Sequence, residues 1–505
     1  DRADLTGVLA AGLPAGLGAH WPGGLALHLR VGQAGLGRLQ LHDLDLQARA
    51  GPEGLALDRL RATLGAARLA AAVQLAPDGA VQALALRLHA ARAGDLRALA
   101  PAWFTPAPGF WQAPAAASLT ASGPVQALSL RLALMAGGAQ LDLAPVLDLS
   151  RGLSRWRAQG TLMLRHPGIG RFLAVLGLGG AVAPGWPGAG SLSLAGQIQA
   201  APDSVALAPF QISAGLLHAS GALHLALAGG ALPELTGQID ADSLPVPLPA
   251  EDSVLPLALL HGWAARLAVR VGRVVDGFRP LAEDGSATLR QQDGRLTLDD
   301  LHLRLAGGTI GGALRLDGAA TPPSAALHLT WQNLALSGPL LAGDAPLDLR
   351  GGTVDGHAVL ASAGYSLAAM RAGLAGRVVL HAADGAVSGF DLAALGAVLG
   401  ADRSAHPAAD PRRMRAALRG GHSDFTSLDG AARIAHGVVR IDHLAMTGPA
   451  GQARLSGTFA LLPPLADLAL AMQPNGAAAP VIQRLTGPPG AMQRADGLDA
   501  GLAGR

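Results

Sequence analysis

The chain has 505 residues, 50% of them hydrophobic but only 3% aromatic, with 69 glycines, 34 prolines and no cysteine. All 38 basic residues are arginine and face 36 acidic ones, a net charge of +2, so the concentrated basic stripe and stacking aromatics of a nucleic-acid surface are missing. Without lysine or cysteine there is no Schiff base, P-loop lysine, thiol nucleophile or thiolate metal site, and the length calls for several modules rather than one core.

Taken in order, the predicted elements are mostly short strands in which apolar and polar residues alternate, a period of two that sends the two sets to opposite faces. They begin with Gln40–Gln47 (QLHDLDLQ) and Val81–Leu88 (VQALALRL), followed by a short helical candidate at Asp95–Ala100. A proline-rich linker, Pro101–Pro114 (PAWFTPAPGFWQAP), carries four of the fifteen Trp and Phe residues. It reads as a local plug against the end of a sheet, with an interfacial patch as the alternative. Leu128–Leu134 resumes the alternation, a second helical candidate spans Gly170–Leu178, and further strands follow at Leu192–Gln199 and Leu223–Leu227. Prolines at Pro184–Pro187, Leu244–Pro249 (LPVPLP) and Pro322–Pro323 mark further linkers. The longest apolar run, Phe172–Trp186, is broken by glycines and Pro184 and falls short of the roughly 18 residues of a transmembrane helix.

The pattern is clearest at Gly294–Gly318, where Leu296, Leu298, Leu301, Leu303, Leu305, Ile310, Leu314 and Leu316 alternate with Thr297, His302, Arg304 and Arg315. Asp-Gly pairs beginning at Asp78, Asp284, Asp293, Asp317, Asp355, Asp384 and Asp429 predict hairpin turns and hence antiparallel neighbours. The spacing predicts on the order of thirty to forty strands, more than one sandwich holds. The expected fold class is therefore all-β: an elongated, coiled, mainly antiparallel sheet with a few short helices. Exposed apolar surface costs about 25 cal/mol per Å², so the sheet is expected to curl into a hydrophobic groove whose eight Leu and Ile side chains named above are lining candidates. Thirty strands at about 4.8 Å each would extend on the order of 140 Å.

Two helical candidates follow, Phe390–Leu399 (FDLAALGAVL) and Asp410–Leu418, the second opened by an Asp N-cap and Pro411. Arg412, Arg415 and Arg419 fall on one face of the latter, a solvated face by default and a set of candidate headgroup contacts by function. Neighbouring His422, Ser423 and Asp424 have triad residue types, but adjacent side chains cannot form the relay. The histidines are dispersed at polar positions of the strands, and GLGG at Gly177–Gly180 does not complete a dinucleotide fingerprint. No catalytic, cofactor or metal site is expected.

Several blocks resemble the AsmA family. Leu374–Leu392 (LAGRVVLHAADGAVSGFDL) is similar to that family's strand, turn, short strand and G-[FI]-D-L helix opening. Gly420–Leu461 resembles its Phe-containing strand, its G-V hairpin and its closing G-x-[FV]-x-L strand, and the tail from Leu485 resembles its L-x-G-P segment. Gln211–Leu227 and Leu305–Asp317 carry the same rhythm, so the resemblance spans roughly residues 190–505. It implies a non-enzymatic periplasmic protein of the Gram-negative envelope, held in the inner membrane by an N-terminal helix that this sequence does not contain. It also implies that phospholipids are partners, conducted along a β-groove towards outer-membrane components. The modules are then expected at 1–100 (N-terminal β-module), 101–250 (middle groove modules), 251–345 (groove module) and 346–505 (AsmA-like C-terminal domain).

Two other readings compete. A string of β-sandwiches would pair the apolar faces with each other and serve as a periplasmic scaffold for outer-membrane protein assembly without lipid. An enzyme acting on glycans or lipids would need a clustered carboxylate pair, which the scattered acidic residues do not offer.

Overall fold

The computed structural model describes residues 2–4, 24–36, 39–99, 106–152, 154–175, 189–227, 232–246, 254–255, 257–276, 279–339, 347–401 and 411–496. These are mostly β: 27 strands against short helical segments, as the alternation predicts. Two compact units are present, Asp1–Leu248 with Gly262–Arg279, and Pro249–His261 with Pro280–Arg505.

In the first unit the strands from Leu25–Leu36 to Glu234–Pro245 form an uninterrupted antiparallel meander, each paired with the next along the chain. Two pairings are parallel, Arg2–Asp4 with Leu25–Leu36 and Glu234–Pro245 with Ala264–Asp276. The second joins strands that lie 18 residues apart in the chain, a separation long enough for the crossover that a parallel pair needs. In the second unit every pairing from Arg279–Gln292 to Gln493–Asp496 is antiparallel and sequential.

Turn chemistry was only partly what the Asp-Gly pairs suggest. Those at Asp78 and Asp293 lie between strands and Asp317 ends one just before its Gly318, whereas Asp284, Asp355, Asp384 and Asp429 lie inside strands. Asp284 and Asp384 have φ of 45° and 54°, and Asp284 sits where the register shifts. A bulge needs the same positive-φ tolerance as a tight turn, so the dipeptide alone does not separate the two.

Short helices occupy the predicted places, with additions. Ala93–Leu99 is a 3-10 turn, and α1 (Pro108–Gln112) emerges from the proline-rich linker. The other α-helices are α2 (Ile169–Val175), α3 (Leu367–Ala372), α4 (Leu392–Ala401) and α5 (Pro411–Arg419). The N-cap expected at Asp410 lies outside the described residues, as do 101–105 of the first linker, Pro184–Pro187 and GLGG at Gly177–Gly180. Within α1, Phe110 packs over Gly137 and meets Trp111 edge-on at 5.2 Å, while Arg97 stacks on the Trp111 ring at 5.5 Å. Phe110 and Trp111 thus close the described part of the linker against the turn at Gly137 and the Arg97 side chain, while Trp103 and Phe104 lie outside the described residues.

The largest cluster of buried apolar residues lies in the second unit. There α4 and α5 lay Leu392, Leu395, Met414 and Leu418 on the sheet around Phe425, Leu428, Met446, Leu455, Leu468 and Met472. Smaller clusters in the first unit gather Val31, Leu41, Leu44 and Leu64, and Ile169, Leu192 and Ala214.

Candidate functional site

The eight candidate lining residues lie on one face. Leu296 pairs with Leu316, Leu298 with Leu314 and Leu303 with Ile310, while Leu301 and Leu305 stand opposite Gly312 and Gly308. A shift between Leu298 and Leu301 restores the phase that an extra residue, Asp299–Asp300 against Ala313, would otherwise break. All eight are partly buried and none is fully covered.

Register carries this face onward. From Leu303 the row runs through Ile310, Trp331, Gly356, Leu380, Gly430, Leu444, Leu455 and Leu470 to Gln483, ten strands joined by nine pairings. At about 4.8 Å per strand the row is about 43 Å long. Trp331 lies across Gly356, where an added Cβ would come within 2.5 Å of the indole. Leu444 and Leu380 lean over Gly430 in the same way. Alternating bulky and glycine positions let large side chains lie flat along the sheet. From Leu303 to Leu444 the row is partly buried except at Gly430, which is buried, and Leu455 and Leu470 are buried beneath α4 and α5.

Two glutamines enter the apolar phase, Gln483 at the end of the row and Gln291. Gln291, opposite Leu296, is 2% exposed and donates through Nε2 to the Leu260 carbonyl at 2.5 Å, while its Oε1 has no hydrogen-bond partner. Leu257 and Leu260 cover the same strand ends near Gly318.

The opposite face is polar and laced by cross-strand ion pairs. Arg295 meets Asp317 at 2.9 Å, Arg433 meets Asp442 at 2.7 Å, Arg484 meets Asp467 at 2.8 Å, and Arg304 pairs with Asp284. Hydrogen bonds from the guanidinium groups hold the carboxyls of Asp317, Asp442 and Asp467 below the usual aspartate range. These pairs are solvent-exposed and individually weak, but each fixes register between neighbouring strands and keeps charge off the apolar side.

Arg412, Arg415 and Arg419 are exposed on α5, with Met414, Ala417 and Leu418 buried on its inner side. The three share a helix face as expected, and each also interacts within the protein. Arg419 Nη2 donates to the Arg494 carbonyl at 3.3 Å, and Arg494 Nη1 donates to the carbonyls of Gly389 and Leu418 at 2.7 and 3.0 Å. Ser423 is also fully engaged: its hydroxyl donates to Phe390 O at 3.1 Å and accepts from Leu392 N at 3.0 Å, fastening the start of α4.

Trp331, Gly356, Gln291 and Ser423 were not among the candidates. The phase of Ala325–Trp331 (AALHLTW) places Trp331 with the leucines, a signal the sequence does contain. Gln291 and Ser423 carry no such signal, because their importance comes from residues distant in the chain.

The larger hollows do not sit on the apolar phase of the second unit; a small one of about 20 Å³ does, lined by Leu428, Leu444, Leu455 and Leu470 among others. Hollows of about 1040, 710 and 380 Å³ lie in the first unit and are lined by polar-phase side chains, among them Gln197, Gln199 and Gln211. From Leu296 to Trp331 the apolar phase is a partly exposed surface rather than an enclosed cavity. Among the described residues no group of His, Cys, Asp and Glu could hold a metal, and no helix is long and apolar enough to cross a membrane.

Residues 237–444 match the model of the AsmA family. The AsmA-like segment therefore covers the strands from Leu296 to Leu444 on which the open part of the row lies, together with α3, α4 and α5. No curated protein and no solved structure matches the chain.

Proposed function

We propose that this protein binds phospholipid acyl chains along the apolar phase of its AsmA-like segment and conducts them between the inner and outer membranes in envelope biogenesis. On this reading it acts without catalysis, in the periplasm, anchored to the inner membrane in its full-length form. The single observation that carries the proposal is the row from Leu303 to Leu444: continuous by register, apolar, and partly exposed at every position but Gly430. Water on such a surface costs about 25 cal/mol per Å², and hydrocarbon laid across it removes that cost without a second protein layer. Polar headgroups would remain outside the row, with the Arg412, Arg415 and Arg419 face of α5 offering positive charge to their phosphates.

Photo-crosslinking of a labelled phospholipid to full-length protein in membranes tests this directly. Leu303→Asp puts a carboxylate into the row, costing several kcal/mol where hydrocarbon would bury it, and is expected to abolish crosslinking from neighbouring strands. Arg304→Gln, one residue along and on the other face, is expected to leave it unchanged, with circular dichroism confirming that both variants keep their strands. Equal crosslinking by the two would sink the conduit and leave the periplasmic scaffold as the better account.

A further inference from the structure

The polar side of the first unit carries a second surface that the lipid reading does not use. Two adjacent rows line its hollow of about 1040 Å³. In one, Ala133 stands beside Asp142, Asp142 beside Met163, Met163 beside Ala195, and Ala195 beside Gln211. In the other, Thr120 stands beside Arg131, Ala144 beside Thr161, and Thr161 beside Gln197. Ala133, Ala144, Ala195 and Ala222 alternate with amides and hydroxyls in this lining, which also takes in Met163 and Phe210. Register shifts between Gly196 and Ile198 and between Leu207 and Phe210 mark a bulged strand, which bends and twists the sheet locally. Pro209 and Phe210, at that bulge, line the hollow.

We propose that this hollow binds an uncharged glycan chain laid across the strands. Gln197, Gln211, Gln238, Thr161 and Thr120 each offer both donors and acceptors, the pattern that matches sugar hydroxyls. An acyl chain would strip water from the same groups and leave them unpaired. An anionic polymer finds a single lining cation, Arg131, with Asp142 lining the same hollow, and so gains little attraction. An extended peptide needs a strand edge for main-chain pairing, and this surface is a sheet face. The strand repeat of about 4.8 Å is close to the advance of one pyranose unit in an extended glycan, so successive sugars meet successive strands. The lining has no tryptophan or tyrosine, so binding rests on hydrogen bonds that replace water, each contributing modestly, and affinity must grow with chain length.

The inference is independent of lipid binding and is tested separately from it. Neutral cello- and chito-oligosaccharides from disaccharide to hexasaccharide are titrated into the full chain by calorimetry. In at least one series the hexasaccharide is expected to bind at least about tenfold more tightly than the disaccharide, a difference of about 1.4 kcal/mol. The double variant Gln197→Ala, Gln211→Ala should lose that advantage, and Ala195→Trp, which fills the hollow without removing a hydrogen-bonding group, should lose it too. Leu303→Asp, in the other unit, should bind glycan as the parent does. Absence of binding in both series, no dependence on length, or full binding by both hollow variants would overturn the proposal. So would a neutral Ser/Gly peptide that competes as well as the hexasaccharide.

Discussion

Between Leu296 and Trp331 the apolar side chains of the second unit stay partly exposed, whereas Leu392, Leu418, Phe425, Met446, Leu455 and Leu470 are buried in one cluster. Both regions are antiparallel meanders of similar strands, and the row from Leu303 to Leu470 passes from one into the other. What differs is the second layer. Beneath α4 and α5 the sheet has a helical cover pinned by Ser423 and Arg494; on the strands around Leu303 the described helical residues reach only the strand ends by Gln291 and Gly318, through the short turn Leu257–Leu260. A leucine's burial in this protein is therefore set by what lies above it, not by its place in the strand, and the uncovered region is the one free to accept another molecule.

The largest expected effect breaks this comparison most directly. Leu418→Ala, at a fully buried position, should cost about 2–5 kcal/mol through lost burial and a residual cavity. Leu303→Ala, partly exposed at the open end, should cost about 1 kcal/mol, since only part of its surface is removed from water on folding. Hydrogen exchange of strand amides in the second unit would measure both. Similar losses of protection at the two sites would mean that the open region is covered after all.

Gly356→Ala sharpens the same point within the open region. Its Cβ would lie 2.3 Å from the Val379 carbonyl oxygen and 2.5 Å from the Trp331 ring, so strand or indole must move at a cost of about 1–3 kcal/mol. Trp331 fluorescence should shift as the ring lifts off the sheet. An unshifted spectrum with parent stability would show that the indole does not rest on this glycine.

Next comes Ser423→Ala. It leaves Leu392 N without its acceptor in a buried place, a loss of about 1–3 kcal/mol, and should raise exchange in α4 while leaving Leu296–Trp331 unaffected. Increased exchange at both ends would mean that the covered and open regions unfold as one.

How much of this was legible depended on distance along the chain. Alternation at Leu296–Leu305 disclosed the strands, their faces and their antiparallel pairing, because a strand's two sides are written in successive residues. The FDLAALGAVL block foretold α4 to within two residues, and the arginines of α5 took the face their spacing implied. Asp384 and Asp284 misled, since bulge and turn demand the same backbone. Cover was invisible: nothing local to Leu303 or Leu455 says that one is open and the other buried, as the difference arises from α4 and α5 folding back over particular strands. The hollow lined by Gln197 and Gln211 was equally hidden, for it needs adjacent strands held in register.

The smallest effect concerns the polar face, which should respond to acid while the apolar side does not. Hydrogen bonds from Arg433 hold the Asp442 carboxyl below its ordinary value. A depressed folded value means that the pair contributes stability above the unfolded aspartate pKa of about 3.9 and loses it as pH falls through the lower folded value. Asp442→Asn removes that dependence. Parent and variant should therefore differ slightly in thermal midpoint at pH 7, with the parent higher, and the gap should close below about pH 4. High salt should also narrow the gap at pH 7, because exposed charges are screened. A gap that persists undiminished in acid would mean that Asp442 stabilises its strands through something other than its charge, and that the ion pairs of the polar face do not set register against the neighbouring strand.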